Sequence, residues 1–178
     1  RGTAEAPLRV LVVASDWERK GGDRALAAVA QARAAGADIA LTVIGSAPSL
    51  PDDVRAPGRL GADELSAEFS RADVLLELAR ANAAGVTLTD AAAHGLPAIA
   101  TAVGGVASIV AEERSGWLVP DDAASSAAAE LLAALGRGSW GGVSRATAAA
   151  WYAEALDWAT WGERVAGLCA RVREEAAR

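Results

Sequence analysis

The chain has 178 residues, 52% hydrophobic and 22% charged, with a net charge of −6 and a pI near 4.8. That is apolar material for one large domain or two small ones, not a disordered tail, and the acidic balance lacks the footprint of a nucleic-acid binder. A single cysteine, Cys169, and a single histidine, His94, exclude an internal disulfide and the usual zinc cage, and no apolar run reaches the ~18 residues of a membrane span.

Leu8-Arg9-Val10-Leu11-Val12-Val13-Ala14 predicts a strand buried on both faces. Polar residues 15–22 follow. Asp23, as N-cap or first-turn acid, then opens a helix with Leu26, Val29, Ala30 and Arg33 in helical spacing, stopped at Gly36. Residues 39–44 predict a second buried strand, ended by Gly45. Pro48, Pro51 and Pro57 mark residues 46–58 as loop, with a minimal strand expected at Arg59-Leu60. Asp63 and Glu64 start a helix that turns Leu65 and Phe69 inward, and residues 73–78 form the next strand. Residues 85–94 read as a helix closed by Gly95, with Pro97 barring its continuation. Strands at 98–102 and 116–119 flank a helical turn at 106–110, and Pro120 ends the second.

After Pro120 only helices are expected: from Asp121-Asp122 through Leu135, then, past Gly136, Gly138, Gly141 and Gly142, from about Val143 to Leu156. Thr160 and Glu163 form a capping-box pattern for a last helix. Alanine, about a quarter of the chain, favours helix throughout. The alternation implies right-handed crossovers: a doubly wound, Rossmann-like α/β fold with about six parallel strands, both faces covered, and a helical C-terminal tail.

Ligands of open parallel sheets bind past the carboxyl ends of the strands, which brings the loop from Ser15 to Gly22 forward. Lys20 is the only lysine in the chain and stands beside Gly21 and Gly22, just before a helix start. Cation, glycine and helix start together suit a phosphate; the plainer alternative is a solvated lysine in a turn. A second constellation, Asn82-Ala83-Ala84-Gly85-Val86-Thr87-Leu88-Thr89-Asp90, follows the fourth predicted strand and enters a helix. The amides of Val86 and Thr87 fall among the unpaired N–H groups of a first helical turn, and Asp90, one turn on, is placed to accept sugar hydroxyls. An ordinary strand-to-helix turn with Asp90 on a solvated face is the alternative. The chain has no G-x-G-x-x-G after its first strand, no Walker-A loop and no G-x-S-x-G elbow. His94 reads as a surface residue at a helix end, and Cys169 as core packing.

In this order, Trp17-Glu18-Arg19-Lys20-Gly21-Gly22, Leu41-Thr42-Val43-Ile44-Gly45, Leu60-Gly61, Ala91-Ala92-Ala93-His94-Gly95-Leu96-Pro97-Ala98-Ile99-Ala100-Thr101, Gly104-Gly105-Val106, Ile109-Val110 and Gly116-Trp117-Leu118-Val119-Pro120 resemble the donor-binding, C-terminal domain of retaining GT-B glycosyltransferases of the family-4 type. The likeness runs over essentially the whole chain and is most specific in residues 85–120. It implies that Lys20 binds the donor's diphosphate and that Leu60 and Gly61 hold the nucleobase. Asn82 and Asp90 fall where the family has paired glutamates, the first touching the transferred sugar and the second the ribose. Gly45, Gly85, Val86 and Thr87 complete the donor contacts, and Lys20, Asn82 and Asp90 are the catalytic candidates. The family's Gly-Arg is replaced by Ala14-Ser15, which leaves Arg19 as the nearest substitute for a second diphosphate cation. Asn82 loses a charge and Asp90 is a methylene short.

What the resemblance implies further is transfer from a nucleotide-diphosphate-sugar, of open base and sugar, without metal or cofactor, with Lys20 and helix amides carrying the leaving diphosphate. The acceptor site would lie on an N-terminal domain of the same protein. The 178-residue chain, which opens at Arg1 without a methionine or a visible signal peptide, therefore reads as one domain of a longer enzyme and as inactive alone. A cytoplasmic location, or one peripheral at the inner face of the membrane, is expected. A non-catalytic binding or interaction domain and a sugar-nucleotide epimerase remain as alternatives on the same fold. Trp140, Trp151, Trp158 and Trp161 crowd the C-terminal region; Trp151, Trp158, Val165 and Val172 recur every seven residues, with Trp161 and Leu168 on a neighbouring line. This apolar surface is expected to cover the N-terminal domain, with closure of the domain's own core as the alternative for Trp151 and Trp158.

Overall fold

The computed structural model describes residues 6–120, 124–136 and 143–176. Six strands form one parallel sheet: β1 (Leu8–Ala14), β2 (Ile39–Gly45), β3 (Arg55–Gly58), β4 (Val74–Glu77), β5 (Ala98–Thr101) and β6 (Gly116–Val119), in the spatial order β3-β2-β1-β4-β5-β6. The order reverses between β1 and β4, and at such a point the loops leaving two neighbouring strands diverge and open a crevice.

The central strands are apolar on both faces because helices cover both. Val10, Val12 and Ala14 of β1, with Val74 and Leu76 of β4, pack against α1 (Gly22–Ala34) and α4 (Ala124–Gly136). Leu11 and Leu75 point the other way, to α2 (Ala62–Arg71) and α3 (Val86–Ala93), where Phe69 and Leu88 are 2% exposed. The expected boundaries hold for β1 and β6 and lie within a few residues for most other elements.

Four details differ. The edge strand lies at Arg55–Gly58, ahead of the expected Arg59-Leu60, and includes Pro57, which an edge position tolerates because a side without a partner needs no donor. The expected turn at 106–110 is a 3₁₀ turn over Val106–Ser108. The helix expected from Val143 to Leu156 is shorter: α5 (Arg145–Trp151) passes into a π turn, Tyr152–Leu156. Helix α6 (Trp158–Ala176) is capped one turn earlier than the Thr160–Glu163 pattern implies, with Asp157 Oδ1 accepting the Thr160 N–H at 2.7 Å. That bond is the first cause holding the Asp157 carboxyl below its ordinary range. The expected helix start at Asp121-Asp122, most of the glycine segment and Trp140 lie outside the described residues.

Arg145 fastens α5 to the rest. Its guanidinium donates to Phe69 O at 3.1 Å, Ser70 O at 3.0 Å, His94 O at 2.9 Å and, more closely still, Ala72 O. These carbonyls end α2 and α3, where intrahelical donors run out and a cation is favoured. Cys169 does not pack into the core: it is exposed on α6, a helix that buries none of its described side chains. Among the described residues, no helix is long and apolar enough to cross a membrane.

Gly21 N-caps α1 in the left-handed region at φ 66°, and a Cβ there would stand 1.9 Å from Leu78 O of the strand end behind it. Gly36 is also left-handed, at φ 99°, but has open space around it. Gly36→Ala is therefore expected to cost about 1 kcal/mol, from backbone strain alone. Gly21→Ala should cost about 3 kcal/mol or more because the two loops must separate. Urea unfolding of both variants checks the difference.

Candidate functional site

The crevice is built from two loops. The loop after β1 is wound into a tight turn: Lys20 N–H donates to Asp16 O at 2.9 Å, Gly21 N–H to Glu18 O at 3.1 Å and Gly22 N–H to Trp17 O at 2.9 Å. The backbone N–H groups of residues 20–22 are thus engaged within the loop. What the turn does is send the Lys20 side chain across to the second loop.

There, Lys20 Nζ lies 3.1 Å from Glu77 Oε2 and 3.4 Å from Thr87 Oγ1, with the lysine side chain 10% and the glutamate side chain 2% exposed. Glu77 Oε1 accepts a hydrogen bond from Asn82 Nδ2, and Asn82 Oδ1 accepts the Gly85 N–H at 2.9 Å. Gly85 stands in the left-handed conformation at φ 58° as N-cap of α3. Such a cap has no side chain to satisfy the first turn, so Asn82 satisfies one donor and leaves Val86 and Thr87 as first-turn amides without intrahelical acceptors. Cation and helix N-terminus therefore meet at Thr87.

Lys20, Asn82, Gly85 and Thr87 are brought together as expected, and Val86 stands at the rim, 64% exposed. Asn82 is 8% exposed and uses both ends of its amide within the turn. Arg19 is at the edge: its Nε bonds Asp16 Oδ2 at 3.0 Å and its Nη1 reaches Ala81 O at 3.4 Å. Asp90 is exposed on α3 and borders two clefts. One, of about 440 Å³, runs between Val86, Thr89 and the aromatic residues Tyr152, Trp158 and Trp161; the other lies towards Ser66 and His94. Gly45 closes β2 beside Ala14 at φ 115°. Leu60 and Gly61 stand apart from the lysine cluster. Leu60 borders a separate cleft with Arg55 and Glu64, and Gly61 starts α2 with its N–H given to Glu64 Oε2 at 2.9 Å.

His94 is half-buried rather than a plain surface residue. Its Nδ1 is 2.7 Å from Asp90 O, which can only accept, so Nδ1 carries a proton, and its Nε2 lies at hydrogen-bond distance, 2.7 Å, from Ser66 Oγ. The ring also leans on Phe69, 5.3 Å between centroids. His94 therefore joins α2 to α3.

Two contributors were not singled out in the sequence. Arg80 pins the loops together, donating to Asp23 Oδ1 and Oδ2 at 2.7 and 2.6 Å and to Glu18 O at 2.7 Å. Its side-chain hydrogen bond is the first cause holding the Asp23 carboxyl below its ordinary range. Glu77 is the other. Its signal was available: an acid inside the apolar run from Val74 to Ala79 must find a partner or be expelled.

A six-stranded parallel sheet covered by helices on both faces, with a cation and a helix N-terminus at its topological switch point, defines the class: a Rossmann-type fold. Residues 7–137 match the glycosyl transferases group 1 family, and the chain belongs to that family. It is 31% identical to WcaL of Escherichia coli (strain K12), provisionally named a colanic acid biosynthesis glycosyltransferase, over 71% of this chain and 36% of that protein. It is 30% identical to the GDP-mannose-dependent alpha-(1-6)-phosphatidylinositol monomannoside mannosyltransferase of Mycolicibacterium smegmatis, over 88% of this chain and 46% of that one. Among solved structures, WaaG, a glycosyltransferase involved in lipopolysaccharide biosynthesis, superposes with a TM-score of 0.75 at 25% identity, over 92% of this chain and 47% of that one. Anabaena HepE, solved with UDP and glucose, shares the fold at a TM-score of 0.78 and 15% identity, over 93% and 48%. The chain thus spans between a third and a half of the length of the relatives it matches.

Removing only one member of a buried ion pair strands the other. Lys20→Met is expected to destabilise the chain by about 3 kcal/mol, and the double variant Lys20→Met/Glu77→Gln to recover most of that loss. Chemical unfolding of the two variants against the parent measures it. A Lys20 single variant accordingly reads stability and ligand binding together, and the double variant is the control.

Proposed function

We propose that this chain is the donor-binding domain of a retaining, metal-independent glycosyltransferase, and that its crevice takes the diphosphate of a nucleotide sugar. The observation that carries the reading is the meeting of Lys20 Nζ and the first turn of α3, 3.4 Å apart at Thr87 Oγ1, in a chain of the glycosyl transferases group 1 family. A cation and helix amides aimed at one point stabilise the charge that grows on the leaving diphosphate as the sugar–oxygen bond breaks. That is the work a divalent cation would otherwise do, which is why the reading is metal-independent.

In this reading Val86 and Thr87 donate their amides to phosphate or sugar, and Asp90, exposed one turn along the same helix, accepts the ribose hydroxyls. Asn82 contributes by holding the turn at Gly85 in its receptive shape. Leu60 and Gly61, at the ends of β3 and α2 on the same rim of the sheet, hold the base. The HepE structure with UDP and the GDP-mannose-dependent relative support a nucleotide sugar as the ligand class and leave base and sugar open. A nucleotide-sugar donor fits a cytoplasmic enzyme, or one peripheral at the inner face of the membrane.

The acceptor would be held by an N-terminal domain of the same protein. Trp158 and Trp161, 81% and 56% exposed, with Val165, Leu168 and Val172, make an apolar stripe along α6, and this is the face the reading assigns to that domain. Trp151 belongs to the present domain instead: its Nε1 donates to Ile109 O at 2.7 Å and Arg114 lies 5.1 Å over its ring.

Three outcomes follow. Calorimetry in excess chelator should detect binding of at least one of UDP, GDP, ADP and TDP, and no binding at millimolar concentration would end the donor reading. The chain alone should show no sugar transfer from the nucleotide sugar it binds; turnover without a second domain would contradict the division of labour. Acrylamide should quench a substantial tryptophan fraction, and uniform protection would contradict the exposed stripe on α6.

A further inference from the structure

The cations of the two loops each carry their own carboxylate: Arg19 with Asp16 at 3.0 Å, Arg80 with Asp23 at 2.6 Å and Lys20 with Glu77 at 3.1 Å. The first two pairs are open to water, with every partner's side chain at least 36% exposed. The third is enclosed, with Glu77 2% exposed, so solvent does not screen it in the same degree. Glu77 comes from the same face of β4 as Leu75, under α3, and its other oxygen is held by Asn82. An ammonium has three N–H groups. Glu77 and Thr87 take two of them, which leaves one for a ligand and a cation whose charge is already balanced from within.

We infer that Glu77 is a specificity-determining residue of the donor site: a built-in counter-anion that lets Lys20 orient a phosphate while weakening the hold on the more highly charged free diphosphate. The inference rests on the donor reading. The diphosphate of a nucleotide sugar is a diester with about two negative charges, whereas the free nucleoside diphosphate has a terminal phosphate that ionises again near neutrality, giving about three. Repulsion from Glu77 across Lys20 grows with ligand charge, so it bears hardest on the product and favours its release over loss of the donor. A site whose lysine lacked such a partner would hold the product most tightly.

The test compares the parent chain with Glu77→Gln by calorimetry, using three probes of one base: the nucleoside, its diphosphate and the β-methyl ester of that diphosphate. The ester has the donor's charge without a sugar. Gln keeps the shape and an acceptor for Asn82. Glu77→Gln is expected to tighten the diphosphate about tenfold or more, the ester less, and the nucleoside by less than about twofold. Unchanged or weaker diphosphate binding, in a variant that binds the nucleoside as the parent does, overturns the inference and leaves the donor reading standing. If Glu77→Gln does not fold, the parent chain decides alone. The ester binding at least as tightly as the diphosphate supports the inference, and a preference of about tenfold or more for the diphosphate overturns it. A parent chain that binds neither nucleoside nor diphosphate overturns the donor reading and this inference with it.

Discussion

A carboxylate as enclosed as that of Glu77 is tolerated only when both its oxygens are bonded and a cation lies beside it. Lys20 and Asn82 meet those needs, and in doing so they tie three separate stretches of chain to one point. The loop after β1 must wind tightly enough to deliver Lys20. Strand β4 must end where Glu77 faces α3. The turn after β4 must bring Asn82 back over it, and the same Asn82 then sets the Gly85 N–H that begins α3. The sheet order reverses between β1 and β4, and this charge pair joins the two loops that leave those strands.

Helix α3, whose first turn meets Lys20 at Thr87, is held at both ends. Asn82 fixes its start, while Arg145 and His94 fix its finish, the first through His94 O and the second through Ser66 of α2. Only eight residues long, it would be marginal as an isolated helix. Its persistence comes from tertiary contacts, Leu88 and Ala91 in the core beneath it and α5 alongside. A short helix clamped in this way keeps the direction of its first amides, because few internal motions can turn them away.

The tail obeys a different logic. Helix α5 is drawn in by Ala148, by Arg145 and by the Trp151 indole, whereas α6 buries none of its described side chains against this domain. Its apolar stripe begins at the cleft that Asp90 and Tyr152 share with Trp158 and Trp161. A domain assigned to that stripe would therefore also border the candidate donor site, so the apolar contact and the chemistry would adjoin each other.

Most of the fold was legible because apolar runs, glycine stops and proline barriers are local signals. Runs such as the one from Leu8 to Ala14 must be covered on both faces, and their alternation with helical segments implies a doubly wound parallel sheet. The family's ordered motifs also located Lys20, Gly85 and Thr87. Pairings between distant residues were not legible. Nothing near Lys20 in the chain announces Glu77, 57 residues away, and nothing near Arg145 announces the carbonyl ends of two helices. Asn82 reads as a substrate contact when only its position is known, yet in space both ends of its amide are engaged within the turn. Cys169 reads as core material by residue type, and only the folded domain left it outside, whereas the seven-residue recurrence along α6 already announced an outward apolar stripe. The sequence by itself determined the elements and their order, because those follow from hydrophobic periodicity and backbone chemistry. Tertiary structure alone decided which charges neutralise one another and which apolar faces stay outside, because enclosure, and with it the strength of every polar contact, exists only once the chain has folded.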